Sequence, residues 1–478
     1  METPLFTALM QHTKRSPMSF HVPGHKNGTI FMDKAKQVYQ GILPLDVTEL
    51  TGLDDLHHPK EAIRHAQELT ASLYGVQNTY FLVNGTTVGN LAMILACCGK
   101  NDIVLVQRNS HKSILNGIQL AGANPVFLSP KVDEDYQVPS YIELETIREA
   151  IACYPRAKAL ILTNPNYYGL AIDLTEIIRY AHDHNIPVLV DEAHGPHFIA
   201  GDLFPVSAVR SGADIVVHSA HKTLPAMTMG SYLHFNSKIV DKEKLFYYLS
   251  LLQSSSPSYP IMASLDLARA YLEKIKSEER QHDILQVIAD FHEQINSINE
   301  INIVTSRDQL VRTDPLKLTI RAANGLTGYE LQDYLESKQI YTELADPANV
   351  LFILPLAYDK LIIKHLDKIK RRFPTPSHPI KQLVHMSNRQ TKRIQPIEKS
   401  YSYLKTCKKR VVTLSEAIGH YAAEAIIPYP PGIPFIMIGE RVTNDLIEQL
   451  KELMETGATI QGDDHIQQGK IAVFMKGS

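Results

Sequence analysis

The sequence predicts an α/β fold with a mostly parallel sheet, and two observations support this. Short runs rich in Val, Ile and Leu alternate with amphipathic helical stretches from about residue 60 onward. The apolar runs show no polar alternation, so both faces of each strand are expected to be covered, as in parallel sheets flanked by helices. In such sheets ligands bind outside the carboxyl ends of the strands.

The expected elements follow one another in chain order. Strands of the large sheet are predicted at residues 79–83, 102–107, 125–129, 158–163, 187–192 and 214–219. Helical periodicity is found before the first strand, at residues 61–74, and between later strands, at residues 141–153 and 173–185. Long helical stretches occupy residues 241–300, and a second α/β portion has predicted strands at 315–322 and 349–356. Residues 360–410, rich in Lys, Arg and Pro, are typical of a solvated connection.

We therefore expect four parts. They are an N-terminal arm at residues 1–60, a large domain at 61–310, a smaller α/β domain at 311–395 and a C-terminal domain at 396–478.

The composition narrows the class of protein. The 478 residues include 48 Lys and Arg against 51 Asp and Glu, so no basic excess points to nucleic acid or an anionic membrane. The first residues lack the continuous apolar region of a signal peptide, and no apolar run reaches the roughly 20 residues of a membrane span. Two of the four cysteines are adjacent in an apolar helical run, as reduced core thiols are. We expect a soluble cytoplasmic protein.

The first polar motif is "VNGTTVGN" at residues 83–90, a strand end followed by a helix start. Backbone N–H groups at a helix N-terminus, with the hydroxyls of Thr86 and Thr87, form a site suited to phosphate. An ordinary helix cap with a turn glycine fits equally well. In "QRNSHKS", at residues 107–113, His111 follows a strand and is either a stacking partner for a planar ring or a solvated helix-start residue.

The motif "VLVDEAHGPH" at residues 188–197 is more specific. Asp191 stands where a fully apolar strand ends, and an unpaired carboxylate there would be costly. One use for it is to keep a proton on a heterocyclic nitrogen, since a nearby negative charge favours the protonated ring. His194 follows three residues later and can hydrogen-bond to the same ring system.

The last strand end carries Ser219, His221 and Lys222. Ser219 and His221 can donate to a phosphate, and the Lys222 amine can form a Schiff base with an aldehyde. A phosphate cradle, an imidazole, a carboxylate and such a lysine are the groups that bind pyridoxal 5′-phosphate (PLP). We therefore expect PLP as the cofactor and no metal.

These motifs, together with others along the chain, resemble those of the ornithine/lysine/arginine decarboxylases of PLP fold type I. The resemblance covers nearly the whole chain through "FHVPGHK" (20–26), "DVTELTGLDDLHHP" (46–59), "FLVNGTTVGN" (81–90), "QRNSHKS", "VDEAHGPH", "SAHKTLPAMT" (219–228), "TDPLKLTI" (313–320) and "YPPGIP" (429–434). It implies that Lys222 forms the Schiff base and Asp191 faces the pyridine nitrogen. It further implies that Thr86, Thr87, Ser219 and His221 hold the phosphate, that His111 stacks on the ring and that His194 lies near the phenolic oxygen.

The resemblance also implies a reaction and an assembly. The expected reaction is decarboxylation of lysine, arginine or ornithine to the corresponding amine and CO₂. The likeness is to the short Gram-positive lysine-type members, without the N-terminal receiver-like domain of the large ones, and it favours lysine. A homodimer is expected, with the loop "GLDDLHHP" at residues 52–59 reaching the neighbouring site. Acidic candidates for binding the substrate side chain are Asp54, Asp55, Glu343 and Asp346, each of which is as readily a capping or solvated residue.

Three alternatives stay open from the sequence. An aminotransferase uses the same lysine and aspartate with an arginine for the α-carboxylate, and Arg321 is a candidate. A metal hydrolase would use the H-x-x-H spacings of His194 with His197 and of His218 with His221, but it leaves Lys222 unexplained. A PLP-binding protein without catalysis is the third.

Overall fold

The computed structural model describes residues 1–277, 281–357, 369, 373–374, 392–428, 433–455, 459–461 and 465–475. The expected connection at 360–410 and the motif at 429–434 thus lie partly outside the described residues. The chain divides into two compact units. The first unit comprises Met1–Cys97, Pro187–Asp202 and Val206–Gln281, and the second comprises Cys98–Ile186, Leu203–Pro205 and His282–Ser478.

The elements are numbered along the chain. The helices are α1 (Pro4–Lys14), α2 (Asp33–Tyr39), α3 (Ala62–Tyr74), α4 (Gly85–Cys97), α5 (Lys112–Ala121), α6 (Leu144–Cys153), α7 (Thr175–Asp183), α8 (Ala220–Thr223), α9 (Lys242–Leu252), α10 (Tyr259–Ser277), α11 (Gln281–Asn296), α12 (Gly328–Ser337), α13 (Tyr401–Leu404) and α14 (Asn444–Glu455).

The strands follow the same numbering. They are β1 (Asn78–Leu82), β2 (Ile103–Gln107), β3 (Asn124–Leu128), β4 (Val132–Asp133), β5 (Val138–Pro139), β6 (Leu160–Thr163), β7 (Leu170–Ala171), β8 (Val188–Asp191), β9 (Ile215–His218), β10 (Ser231–Phe235), β11 (Ile301–Ile303), β12 (Arg312–Thr313), β13 (Lys317–Ala322), β14 (Leu344–Ala345), β15 (Val350–Ile353), β16 (Ile394–Pro396), β17 (Lys409–Thr413), β18 (Tyr421–Ala422), β19 (Ile427–Pro428), β20 (Ile460–Gln461) and β21 (Lys470–Phe474).

The sheet of the first unit has the strand order β1-β10-β9-β8. Strands β8 and β9 are parallel, and β10 runs antiparallel to both β9 and β1. Every residue of β8 and β9 is buried, which is why these strands are apolar up to their last residues, Asp191 and His218. The strand β10 was not predicted from the sequence. Its His234 interrupts the apolar run, and the partner that makes this residue tolerable, Thr79, lies on β1.

Helix α4 lies very close to this sheet. A Cβ atom at Gly89 would stand 2.8 Å from a side-chain carbon of Leu82 and 2.9 Å from one of Val217. Glycine therefore allows the helix to approach the strands more closely than alanine would permit. The approach brings the first turns of α4 to the carboxyl ends of β8 and β9.

The second unit has its own mostly parallel strands. Strand β2 pairs in parallel with β3 and β6, and β16 pairs antiparallel with β3. A four-stranded antiparallel sheet of order β11-β13-β15-β14 contains the strands predicted at 315–322 and 349–356. A separate apolar cluster packs between β17, β21 and α14. The α/β class with a mainly parallel sheet is confirmed. Among the described residues, no helix combines the length and apolarity that crossing a bilayer requires.

Candidate active site

Asp191 is the last residue of β8, and its side chain is buried. The Nδ2 of Asn90 donates to its Oδ2 at 2.9 Å, and the backbone N–H of Ala193 donates to its Oδ1 at 3.2 Å. These two bonds fix the orientation of the carboxylate. Sequence reasoning missed Asn90. The available signal was an asparagine inside the apolar stretch of α4, because a buried amide needs a polar partner.

Lys222 lies on α8, the single helical turn that follows β9. Ser219 is the N-cap of this turn, and its carbonyl accepts from the N–H of Lys222 at 3.0 Å. The Lys222 Nζ stands 2.9 Å from the Nε2 of buried His194. His221, on the same turn, has its Nδ1 3.1 Å from the carbonyl oxygen of Gly230. The structure thus brings the predicted lysine and the predicted histidine into direct contact.

The N-terminus of α4 forms the part of the site suited to phosphate. Gly85 begins the helix with φ +73°, a left-handed value that glycine adopts without strain. The Oγ1 of Thr86 is 3.0 Å from the Oγ of Ser219, so hydroxyls predicted from two distant motifs meet here. Thr87 lies in the same first turn and is exposed. Hydroxyls beside the N–H groups of a helix start have the donor chemistry that phosphate requires.

His111 belongs to the second unit. It is the N-cap of α5, and its Nδ1 lies 2.8 Å from the Oγ of Ser113 and accepts from the N–H of the same residue. The side chain is half-buried. This agrees with a helix-start residue, and stacking on a ring stays a prediction.

The acidic pair in "TELADP" also belongs to the second unit. Asp346 accepts from the hydroxyl of Tyr168 and from the backbone N–H groups of Ala348 and Asn349, both at 2.7 Å. Its carboxylate is therefore committed to the loop before β15. Glu343 is exposed.

Asp54 and Asp55 lie in the first unit, just before α3. The carboxylate of Asp54 accepts from backbone N–H groups at 2.8 to 3.2 Å, those of Asp55, Lys60, Glu61, Ile63 and Arg64. Asp55 accepts from the N–H of His57 at 2.8 Å. A carboxylate at a helix start satisfies N–H groups that have no partner within the helix. The contacts favour the capping interpretation for Asp54.

Replacing Asp54 with alanine should therefore lower stability rather than substrate affinity. The expected loss is about 1–2 kcal/mol in the free energy of unfolding, as for other helix caps. Asp54→Asn should retain most of the stability, because asparagine caps helices well and tolerates the positive φ of +69° found here. Urea unfolding and the KM for each basic amino acid would be measured for both variants. A raised KM with unchanged stability would instead identify Asp54 as a substrate ligand.

The two H-x-x-H spacings do not converge. His197 places its Nδ1 3.0 Å from the hydroxyl of Thr223, and His218 places its Nε2 2.7 Å from Glu192. The other two histidines have the contacts described above. Within the described parts of the chain, no three His, Cys, Asp or Glu side chains are grouped as metal ligands.

Glu192 follows Asp191 directly and is completely buried. Its Oε2 is 2.7 Å from the Nε2 of His218 and 2.5 Å from the Oγ of Ser207, and its Oε1 accepts from the N–H of Ala208 at 2.7 Å. Burial raises the pKa of Glu192 to about 8 and lowers the pKa of His218 to about 3. The pair is therefore uncharged near neutral pH, with the carboxylic acid donating to the imidazole.

A pH dependence of stability follows from this pKa. At Glu192 the folded chain retains a proton that the unfolded chain releases between the ordinary pKa of 4.5 and about 8, so this carboxyl contributes less stability as the pH rises through this window. The lowered pKa of His218 acts in the opposite sense below pH 6.5, but it is common to the wild-type protein and to Glu192→Gln. The free energy of unfolding should fall by roughly 1.4 kcal/mol per pH unit relative to Glu192→Gln, and the two curves should run parallel below pH 4.5. Chemical unfolding across this range measures the difference. Curves that stay parallel throughout would mean that the folded carboxyl is ionised.

Two family models match the chain. The model described as "Orn/Lys/Arg decarboxylase, major domain" matches residues 3–311, and "Orn/Lys/Arg decarboxylase, C-terminal domain" matches residues 381–477. The first alone covers more than half of the sequence.

Individual proteins agree with the family models. An uncharacterized Bacillus subtilis protein, YaaO, is 51% identical over 482 residues, covering 100% of this chain and 99% of that protein. The arginine decarboxylase of Bacillus subtilis is 34% identical over 483 residues, covering 97% and 96%. The structure of the Francisella novicida lysine decarboxylase LdcF is similar with a TM-score of 0.84 at 21% identity, covering 99% of this chain and 81% of that one. The predicted fold class, PLP fold type I, is confirmed. The chain belongs to the Orn/Lys/Arg decarboxylase family, whose members are PLP-dependent amino-acid decarboxylases.

Proposed function

We propose that this chain binds PLP through Lys222 and Asp191 and decarboxylates lysine, arginine or ornithine to the corresponding amine and CO₂. The observation that carries the proposal is the 2.9 Å contact between Lys222 Nζ and His194 Nε2, beside the strand end that presents buried Asp191. The donor set fits PLP, because it combines phosphate donors, a buried carboxylate and a reachable amine in one unit.

Each group has a role that follows from its chemistry. Bound PLP supplies an electron sink for the charge left when the α-carboxylate departs. Asp191, oriented by Asn90, holds the proton on the ring nitrogen. The first turn of α4 with Thr86 and Ser219 binds the phosphate, together with Thr87 and His221. By the family resemblance, His111 would stack on the ring and His194 would lie near its phenolic oxygen.

Lys222 has a second role after CO₂ leaves. Its Nζ lies 2.9 Å from the Nε2 of His194, and either this amine or a nearby histidine would deliver a proton to the α-carbon of the substrate. The bond to the α-carbon that the protein holds perpendicular to the ring is the one that breaks. The orientation that the substrate-binding groups impose therefore decides between decarboxylation and transamination.

The family assignment sets aside the aminotransferase alternative, and the contacts of Arg321 agree. Its Nε donates to Asn349 Oδ1 at 2.7 Å and its Nη2 to the carbonyl of Tyr136 at 2.9 Å. This guanidinium is engaged in the second unit's own packing rather than presented to an α-carboxylate.

The choice of substrate is the open part of the proposal. The motif around Lys222 favours lysine, whereas the relative at 34% identity is an arginine decarboxylase. Of the four acidic candidates, Asp54 and Asp346 each accept several local hydrogen bonds. Asp55, which accepts one from the N–H of His57, and exposed Glu343 are therefore the better partners for a cationic side chain. A carboxylate pairs with an ammonium or a guanidinium, so the acid alone does not choose.

We further propose a homodimer. Several apolar side chains of the N-terminal segment are strongly exposed, among them Met18 at 85%, Phe20 at 91% and Val38 at 82%. Exposed apolar surface of this kind marks association sites. The adjacent motifs are held together, with His25 Nε2 3.1 Å from Asp46 Oδ2, so the segment offers a defined surface to a second copy.

The domain boundaries and the cellular location also stay proposals. The boundary near residue 310 is supported by the family model that ends at residue 311, and a separate C-terminal domain is supported by the match at 381–477. A role in polyamine synthesis agrees with the expected amine products. A cytoplasmic location agrees with the adjacent Cys97 and Cys98, which are typical of reduced thiols.

The deciding experiment is a visible absorption spectrum of the purified protein, followed by CO₂ release from lysine, arginine and ornithine. A band of lysine-bound PLP with CO₂ from one or more of the three supports the proposal. A band without CO₂ from any of them would overturn the decarboxylase assignment, and no band after added PLP would overturn the cofactor assignment.

A further inference from the structure

A network of hydrogen-bonded, buried polar side chains crosses the sheet of the first unit. It joins Glu192, which follows β8, to His218 on β9 at 2.7 Å, His218 to His234 on β10 at 3.0 Å, and His234 to Thr79 on β1 at 2.8 Å. The four side chains are 0 to 3% exposed. The proposed reaction uses none of them.

A gain in folding stability does not explain the presence of this network of buried polar side chains. Buried polar groups must give up their hydration, and well-packed apolar side chains of similar volume often stabilise a fold more. The surroundings are otherwise suited to apolar packing. The Tyr74 ring of α3 packs on this network, with its centroid 4.2 Å from that of His234 and 5.3 Å from that of His218.

The position of the first pair is informative. Glu192 follows Asp191 in the sequence, and His218 precedes Ser219, the cap of the turn that carries Lys222. Backbone bonds join the same two strand ends, since the N–H of Glu192 donates to the carbonyl of Val217 at 3.1 Å. The Glu192–His218 bond is thus a side-chain link between the strand end that holds Asp191 and the one that leads into α8.

We propose that Glu192 and His218 are positioning residues for the PLP site. Their hydrogen bond fixes the ends of β8 and β9 relative to each other, and so fixes the ring partner relative to the lysine. This inference rests on the proposed function. The outer links, His218 to His234 and His234 to Thr79, then serve to satisfy the second nitrogen of each imidazole.

The consequence of losing this bond follows from the sensitivity of catalysis to geometry. A displacement of about 1 Å at a reacting group lowers the rate on the order of a hundredfold. Asp191 and Lys222 are supplied by neighbouring strand ends, so any shift between these ends changes the site directly. The uncharged state of the pair near neutral pH agrees with a short neutral hydrogen bond in an apolar setting.

Two substitutions of one residue separate the inner link from the outer one. The amide of His218→Gln reaches the position of Nε2 and preserves the bond to Glu192. The amide of His218→Asn reaches the position of Nδ1 and preserves only the bond to His234. Both variants lose the imidazole, so they are matched for general damage to the core.

The measurements are the dissociation constant for PLP, from titration of the apoprotein followed in the visible band, together with kcat, KM and the melting temperature. His218→Asn should bind PLP more weakly and have a kcat about tenfold to a hundredfold lower, with a smaller change in KM. His218→Gln should stay near the wild-type values. Thr79→Val changes the end of the network that is farthest from Glu192. This variant should have a lower melting temperature and unchanged PLP affinity and kcat.

Equal values for the two His218 variants would overturn the proposal, whether both are active or both are damaged. If His218→Asn does not fold, Glu192→Gln and Glu192→Leu pose the same question, and the glutamine must restore PLP affinity that the leucine loses. Absence of a PLP band in the wild-type protein would instead refute the proposed function.

Discussion

Replacing Lys222 with alanine is expected to abolish the band of lysine-bound PLP and to lower CO₂ release on the order of 10⁴-fold. The loss is expected to be large because the proposed mechanism gives Lys222 two roles, as the amine that binds the cofactor covalently and as a donor of a proton to the α-carbon. Its Nζ lies against His194 at 2.9 Å, so the amine is already held at the edge of the site. The spectrum and single-turnover CO₂ release are the measurements.

Two further variants make this result specific. Lys222→Arg keeps the positive charge but removes the reactive amine, since a guanidinium stays protonated, and it should be as inactive as the alanine variant. Lys238, an exposed lysine of the same unit, gives the matched control, and Lys238→Ala should leave both readouts unchanged. A Lys222→Ala protein that retains the band would mean that another lysine binds the cofactor.

The sequence allowed most residues of the candidate site to be proposed, and the reason is physical. Parallel strands buried on both faces are written as apolar runs, so a polar residue at the end of such a run stands out, as Asp191 and Lys222 do. The same logic failed for β10. His234 breaks its apolar run, and the residue that satisfies His234 lies on β1, far away in the sequence.

The sequence also did not show which polar side chains form hydrogen bonds with each other. Asn90 and Asp191 are separated by 101 positions, and no local pattern records that one orients the other. The same holds for Glu192 and His218, which are 26 positions apart. Conversely, Asp54 has a carboxylate that suits a cationic substrate, but in the structure this carboxylate accepts from backbone N–H groups at the start of a helix. Sequence shows which groups are available at a strand end, and the fold decides which of them bond to each other.

Asp191→Asn is expected to lower kcat about 10²- to 10³-fold while the protein still binds PLP. A carboxylate beside a ring nitrogen shifts its pKa by about one to three units in favour of the protonated form, and the amide lacks this charge. Asparagine is nearly isosteric and can still accept from the N–H of Ala193. Its amide nitrogen can donate to Asn90 once the Asn90 side chain turns its Oδ1 toward it, so the fold should be preserved. A pH titration of the visible band, together with kcat for the best substrate, measures the effect.

Asp214 provides a matched control for this loss of charge. It is a buried aspartate of the same unit, and its carboxylate accepts from the N–H of Val188 at 2.8 Å and from the hydroxyl of Ser237 at 2.5 Å. Asp214→Asn should therefore reduce stability without altering the titration of the PLP band. If both variants lose the same activity, burial of a carboxylate in this sheet is what matters. If only Asp191→Asn does so, the result supports action of the charge on the cofactor ring, because Asp214 is equally buried but precedes β9, whereas Asp191 ends β8 at the candidate site.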